Sequence, residues 1–333
     1  SPKHVSNVII KSTPLILTGL GVAFAFKTGL FNIGAEGQFI MGSVAATVVG
    51  ILFDFPPVIQ IPLVLSAGVA AGAVYGGIAG FLKAKFGIHE VLTSIMLNWI
   101  ALYFSNYVCG LNRFHKPDTI GTYAINRSGY TMILGNYKAT EEGKAALAQN
   151  EFLRSTILKT DVNAGFIIAI VLAVLISFLL YKTAKGFELR AVGSNRFAAE
   201  FSGIYVNRNI LHSMLISGAI CGLAAALYIT GNSPHGIATL AAFENTGFNG
   251  LAVCLIAASS PIGCIFAGLL FGGLIYGGQT LQYEVGAPSE IINIVIGVIV
   301  FFVALTHIIP PLVERLRKVP LGKPGRNVSK GGK

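Results

Sequence analysis

Charge is what this chain has least of. Only 11% of its residues are Asp, Glu, Lys or Arg, whereas 53% are hydrophobic, and mean hydropathy is +0.71. An ordinary soluble domain is about 25% charged. A globule of this size has no interior large enough to hide so much apolar surface, so a water-soluble fold is excluded. Cysteine is also scarce. Cys109, Cys221, Cys254 and Cys264 are scattered through apolar runs, with no pair at metal or redox spacing, and read as buried free thiols. The alternating polar and apolar pattern of a membrane β-barrel is missing.

Motifs for chemistry are missing too. There is no Walker-type phosphate loop, no Gly-x-Ser-x-Gly elbow and no paired His at ligand spacing, so no catalytic residue and no metal site is expected. His89, His212, His235 and His307 have no ligand-like neighbours and read as structural. The net charge of +10 is no nucleic-acid signal, because no aromatic-interleaved basic face accompanies it. The basic residues lie largely in short loops and in the tail RLRKVPLGKPGRNVSKGGK, which suits a positive-inside bias with secondary attraction to anionic membrane lipid. No cleavable signal peptide is visible. The sequon at Asn327 lies in that basic tail and reads as a chance match.

What the chain does have is glycine, 40 residues of it, and long apolar runs. Both fit an all-α, polytopic membrane protein, in which Gly lets helices approach closely. A hydrocarbon core of about 30 Å needs roughly 20 apolar residues per helix. That ruler gives nine visible spans, near 14–26, 38–53, 58–82, 91–111, 164–181, 210–230, 237–258, 262–281 and 290–309. The first is short unless 5–10 contributes, and the seventh is weak and broken. The whole chain, 1–333, then forms one transmembrane domain. If the loop 182–208 and the tail 310–333 are cytoplasmic, fifteen of the 24 Lys and Arg lie inside. The segment 112–161, of mixed charge, is then extracytoplasmic, and TEEGKAALAQ from Thr140 reads as a short capped helix within it. Nine spans place Ser1 outside, and a missing N-terminal span would make ten.

An internal repeat is legible. FKTGLFNIGAEGQFIMGSVAA from Phe26 resembles FENTGFNGLAVCLIAAS from Phe243, and a second pair of segments ends in helices opening with Glu90 and Glu290. In this topology the matched helices run in opposite directions, so the chain is expected to hold two inverted repeats, with Gly-interrupted helices near a transport path. Thr28, Gly29, Phe31 and Asn32 match Thr246, Gly247, Phe248 and Asn249. Glu36 is a path carboxylate or a partner of its helix dipole. Asn32 and Gln38 can bond a substrate or satisfy freed backbone at the break. Glu244, Asn245 and Asn249, flanked by Phe243 and Phe248, offer polar groups beside flat apolar faces, although each Phe could simply pack. Trp99 and Tyr228 carry the same two readings. Glu90 and Glu290 read mainly as helix-opening caps.

The loop KTAKGFELRAVGSNRFAAEFSGIYVNR, from Lys182 to Arg208, is polar and basic between two apolar runs. Ser194 or Asn195 can cap a short helix there, with Ala198, Ala199 and Phe201 on an apolar face. Such a helix suits docking to a soluble motor.

KGFELRAVGSNRFAAEFSGI is similar to the cytoplasmic coupling loop of permease subunits of bacterial ABC importers, in the group serving branched-chain amino acids, ribose and nucleosides. GLFNIGAEGQFIMGS resembles the nucleoside version of that group, and TPLILTGLGVAFAF and GLLFGGLIYGG also fit. The resemblance covers nearly the whole chain, and the segment 112–161 departs from it. It implies a multi-pass protein of the bacterial cytoplasmic membrane with its C-terminus inside. It also implies a second permease subunit, copy or paralogue, an ATP-binding subunit that holds ATP and Mg, and an extracytoplasmic substrate-binding lipoprotein. This chain would hold no cofactor, bind no nucleic acid and form half of a path for a small molecule. The expected path residues are Asn32, Glu36, Gln38, Phe243, Glu244, Asn245, Phe248 and Asn249. The expected coupling residues are Arg190, Ser194, Asn195, Arg196, Ala198, Ala199, Phe201 and Ser202. A branched-chain amino acid or sugar is the competing substrate, and an ion-coupled secondary transporter is the rival mechanism.

Overall fold

The apolar runs form helices whose ends are set by Gly, Pro and polar caps. The computed structural model describes residues 2–135 and 137–286, with scattered positions between 291 and 305. The helices are α1 (Pro2–Lys27), α2 (Ala35–Leu52), α3 (Pro57–Phe86), α4 (Glu90–Cys109), α5 (Glu141–Gln149), the single turn α6 (Glu151–Leu153), α7 (Gly165–Lys182), α8 (Ala184–Ser194), α9 (Arg196–Phe201), α10 (Val206–Gly231), α11 (Thr246–Ile256) and α12 (Gly263–Val285). Seven of these are long and apolar enough to cross a membrane. The ninth expected span, Glu290 and the tail 310–333 lie outside the described residues, apart from those scattered positions.

One expectation is met and one needs correcting. Residues 5–10 contribute to the first span, because α1 is one 26-residue helix that continues through Pro14. The seventh is not a span, because only the 11 residues of α11 are helical and 232–245 is irregular. Eleven residues rise about 16 Å, half of a hydrocarbon core.

α1, α2 and α10 form the buried centre, and α3, α4, α7 and α12 surround them with exposed apolar faces. The tightest seam joins α3 to α10. A Cβ on Gly72 would collide with the Gly218 carbonyl, and one on Gly222 with the Gly68 carbonyl. Small residues four apart let these backbones touch, the usual way membrane helices pack without a hydrophobic driving force between them.

One end of the bundle carries Lys27, the Lys83–Glu90 ion pair and the α8–α9 elbow. Glu90 also accepts from the Phe31 amide at 3.4 Å, but the cap of α4 is His89, through the Val91 amide, so Glu90 opens the helix without capping it and ties α4 to Lys83 and the break. The opposite end is covered by 112–161. There Asn126 donates to the Ile51 and Phe53 carbonyls, and Ile125 packs over Gly50. The short helix from Thr140 is present, and the Thr140 hydroxyl accepts from the Gly143 amide at 3.1 Å.

Candidate functional site

After Lys27 the chain leaves the helix and runs inward as a seven-residue break before α2 begins. The break is held by side chains on α10. Ser213 donates to the Thr28 hydroxyl at 2.9 Å, and Asn32 donates to Ser217 at 2.8 Å. Asn32 and Gln38 exchange two bonds, of 3.0 and 3.1 Å, and Asn32 also accepts from the Gly34 amide. Both amides are buried and are used in fixing the break.

The second break meets the first at Glu36. Its carboxylate is fully buried and accepts from three amides, Asn245 at 3.0 Å, Gly247 at 2.6 Å and Phe248 at 3.3 Å. These are the uncapped N–H groups of the α11 N-terminus. Asn245, at φ 64°, turns the chain into that helix. Glu36 itself sits in the first turn of α2. Two helix N-termini therefore converge, and one carboxylate answers the positive ends of both. From this point α2 rises beside α10, with Gly42 against Gly222. α11 runs the other way along α1, with Gly250 against Thr18 and Val253 against Gly19.

The matched motifs are not in equivalent structure. Thr28 to Asn32 lie in the irregular break, whereas Thr246 to Asn249 form the first turn of α11. Thr28 and Gly29 also stand at the Lys27 end of the bundle, against Gly193 of α8, while Gly247 lies against Glu36.

Above the junction, toward the 112–161 end, is a cavity of about 100 Å³. Phe39, Ile40 and Ser43 of α2, Ser105 of α4 and Tyr228 of α10 form its sides, and Glu244 lines it close to the junction. The Phe39 and Tyr228 rings are 5.9 Å apart. The segment from Pro234 to Leu240 closes it from above. Thr122 and Asn106 hold that segment through bonds to Ile237 and Leu240. Phe243 packs edge-on to Trp99 at 4.7 Å and to Phe248 at 5.7 Å, outside the cavity lining. No hydrogen bond engages the Glu244 or Asn249 side chain among the described residues.

The sequence family described as the permease component of branched-chain amino acid transport systems matches residues 4–304. The chain belongs to this permease family. The permease is 40% identical over 315 residues to the guanosine ABC transporter permease protein NupP of Bacillus subtilis, covering 95% of this chain and 85% of that one. It is 35% identical over 321 residues to the nucleoside ABC transporter permease protein NupB of Lactococcus lactis, covering 96% and 84%. The glucose ABC transporter permease protein TsgB13 of Haloferax volcanii is 31% identical over 298 residues, covering 90% and 75%. The permease is thus a multi-pass transport component and not an enzyme.

The elbow after α7 is more helical than its polar sequence suggests. α8 and α9 meet at Asn195, whose side chain accepts from the Ala198 amide at 3.1 Å. Arg190 turns back to the Leu180 carbonyl at 2.9 Å, and Arg196 reaches the Gly29 carbonyl at 3.4 Å. Ala199 is buried, Ser194 is exposed, and the Ser202 hydroxyl bonds the Ala198 carbonyl. Phe201 is 96% exposed and Phe197 85% exposed. Four residues apart, they stand on one side of α9. Phe197 was missed in the sequence, although that spacing could have found it. The cavity residues Phe39, Ser43 and Ser105 carried no signal, being ordinary members of apolar helices.

Proposed function

We propose that this permease is one of two membrane subunits of an ATP-driven nucleoside importer. The observation that carries this reading is the cavity above Glu36. It sets the flat faces of Phe39 and Tyr228 beside two hydroxyls and a free carboxylate. A nucleoside offers a base to stack and adjacent N–H or O–H groups to donate, and this lining answers both. NupP and NupB, named for guanosine and nucleoside, share the family and support the choice. At about 100 Å³ the cavity is smaller than the roughly 300 Å³ of common ligand pockets, so it stands for a closed form of the path. Glu244 contacts the substrate, while Phe243, next to it in sequence, packs on Trp99 outside the lining. Asn32, Glu36, Gln38 and Asn245 hold the broken helices, and Phe248 packs at the junction.

The partners follow from the same reading. Phe197, Ala198 and Phe201 dock an ATP-binding subunit that holds ATP and Mg, while Arg190, Ser194, Asn195, Arg196, Ala199 and Ser202 shape the elbow that presents them. The elbow and the C-terminus then face the cytoplasm, and 112–161 faces an extracytoplasmic binding lipoprotein. A second permease subunit completes the path. Sugar is the competing cargo, given the glucose-named relative. Deleting the gene for this chain in its host should abolish uptake of labelled guanosine and leave glucose and leucine uptake intact. Loss of glucose or leucine uptake instead would overturn the substrate.

A further inference from the structure

We propose that the α8–α9 elbow moves the substrate junction through one backbone contact, Gly193 on Gly29, with Arg196 as a positioning residue. This rests on the docking of an ATP-binding subunit at α9. Gly29 has φ 71°, in the left-handed region that favours glycine. A Cβ on Gly29 would stand 3.1 Å from the Gly193 Cα. A Cβ on Gly193 would stand 2.9 Å from the Gly29 amide nitrogen and would collide with the Lys27 carbonyl. The two backbones touch with no side chain between them, so no rotamer can absorb a displacement.

The elbow is tied to this point on both sides. Arg196, the first residue of α9, donates to the Gly29 carbonyl. Val192 and Ala199 share a buried cluster with Ala25, Leu30, Ile210 and Met214. From Gly29 the break passes to Asn32, bonded to Ser217, and then to Glu36, whose carboxylate holds the α11 N-terminus. Glu244, on the cavity, is the residue before Asn245, whose amide Glu36 holds. A push on α9 therefore reaches the cavity through a non-helical strap whose side-chain bonds run to α10 and α2, so a shift of the strap is carried to the junction. The surrounding helices are interlocked by close Gly contacts. The strap and α11 are the element that motor and substrate would both bias.

The test uses the complete transporter in liposomes, with tritiated guanosine moved per ATP hydrolysed as the readout. Gly193→Ala should lower that ratio about 10-fold while the ATP-binding subunit co-purifies in wild-type amount. Arg196→Met should lower it about threefold, and Arg196→Lys, which keeps a donor, should restore most of the loss. If Gly193→Ala does not assemble, the two Arg196 variants carry the test. An assembled Gly193→Ala or Arg196→Met complex with a wild-type ratio overturns the proposal. Phe201→Asp separates this from the docking reading. Retained ATP-binding subunit in that variant defeats the docking, whereas lost subunit with intact Gly193→Ala coupling defeats only the Gly193 contact.

Discussion

The Glu36 carboxylate accepts from the Gly247 amide at 2.6 Å, across 211 residues of chain. That bond joins the first turns of two helices running in opposite directions. It gives a buried carboxylate three amide partners and gives a buried helix end its cap, so each solves the other's desolvation.

Removing the carboxylate should therefore cost assembly before transport. Each buried amide left unpaired costs about 1–3 kcal/mol. Glu36→Ala should sharply lower both the yield and the thermal midpoint of the detergent-solubilised permease. Glu36→Gln keeps one acceptor oxygen and should fall between. Wild-type stability in Glu36→Ala would mean that the junction does not need its cap.

The cavity residues should behave otherwise. Tyr228→Ala and Glu244→Gln should each reduce guanosine uptake about 10-fold, since a lost ring or acceptor is worth about 1–2 kcal/mol. The amount of assembled complex should not fall. Uptake unchanged in both, measured with labelled guanosine at matched expression, would remove the cavity from the path.

Phe197→Asp and Phe201→Asp place charge on the exposed ring pair of α9. Either should release the ATP-binding subunit in pull-down while membrane insertion persists. Equal recovery of the subunit from both variants would move the docking surface elsewhere.

Sidedness is open to labelling. Gln149→Cys should react with a membrane-impermeant thiol reagent in intact cells, and Phe201→Cys only after lysis. The reverse pattern would invert the topology.

At the elbow, Lys185 donates to the Glu188 carboxylate at 2.9 Å and Asn209 at 3.2 Å, and these bonds hold the Glu188 pKa below its ordinary 4.5. A carboxyl with a depressed folded pKa adds stability that is complete above 4.5 and is lost as pH falls through the depressed value. Solvent screens this partly exposed pair, so it contributes at most about 1 kcal/mol. The thermal midpoint of Glu188→Gln should lie below that of the parent at neutral pH, and the gap should close below pH 4.5. A gap that does not change with pH would rule out the ion pair as its cause.

The apolar runs by themselves determined the membrane, the helical class and most of the spans, because a helix that must bury twenty residues in lipid leaves a contiguous signature. The motif around Glu36 and the loop around Asn195 were enough to suggest the family. The Asn195 cap and the Thr140 helix were legible because capping is local in sequence. What lay beyond reach was pairing over distance. A run of apolar residues from 237 to 258 looks the same whether it spans or half-spans. The packing of Gly247 on Glu36 and of Gly250 on Thr18 sets the start of α11 in the bundle's middle. The roles of Glu36, Asn32 and Gln38 turned on partners up to 212 residues away, and the ring pair of Phe39 and Tyr228 faces one cavity only because α2 and α10 pack together there. A side chain's chemistry is written in its type, but its partner is fixed by the tertiary contacts that bring remote backbone within hydrogen-bond reach.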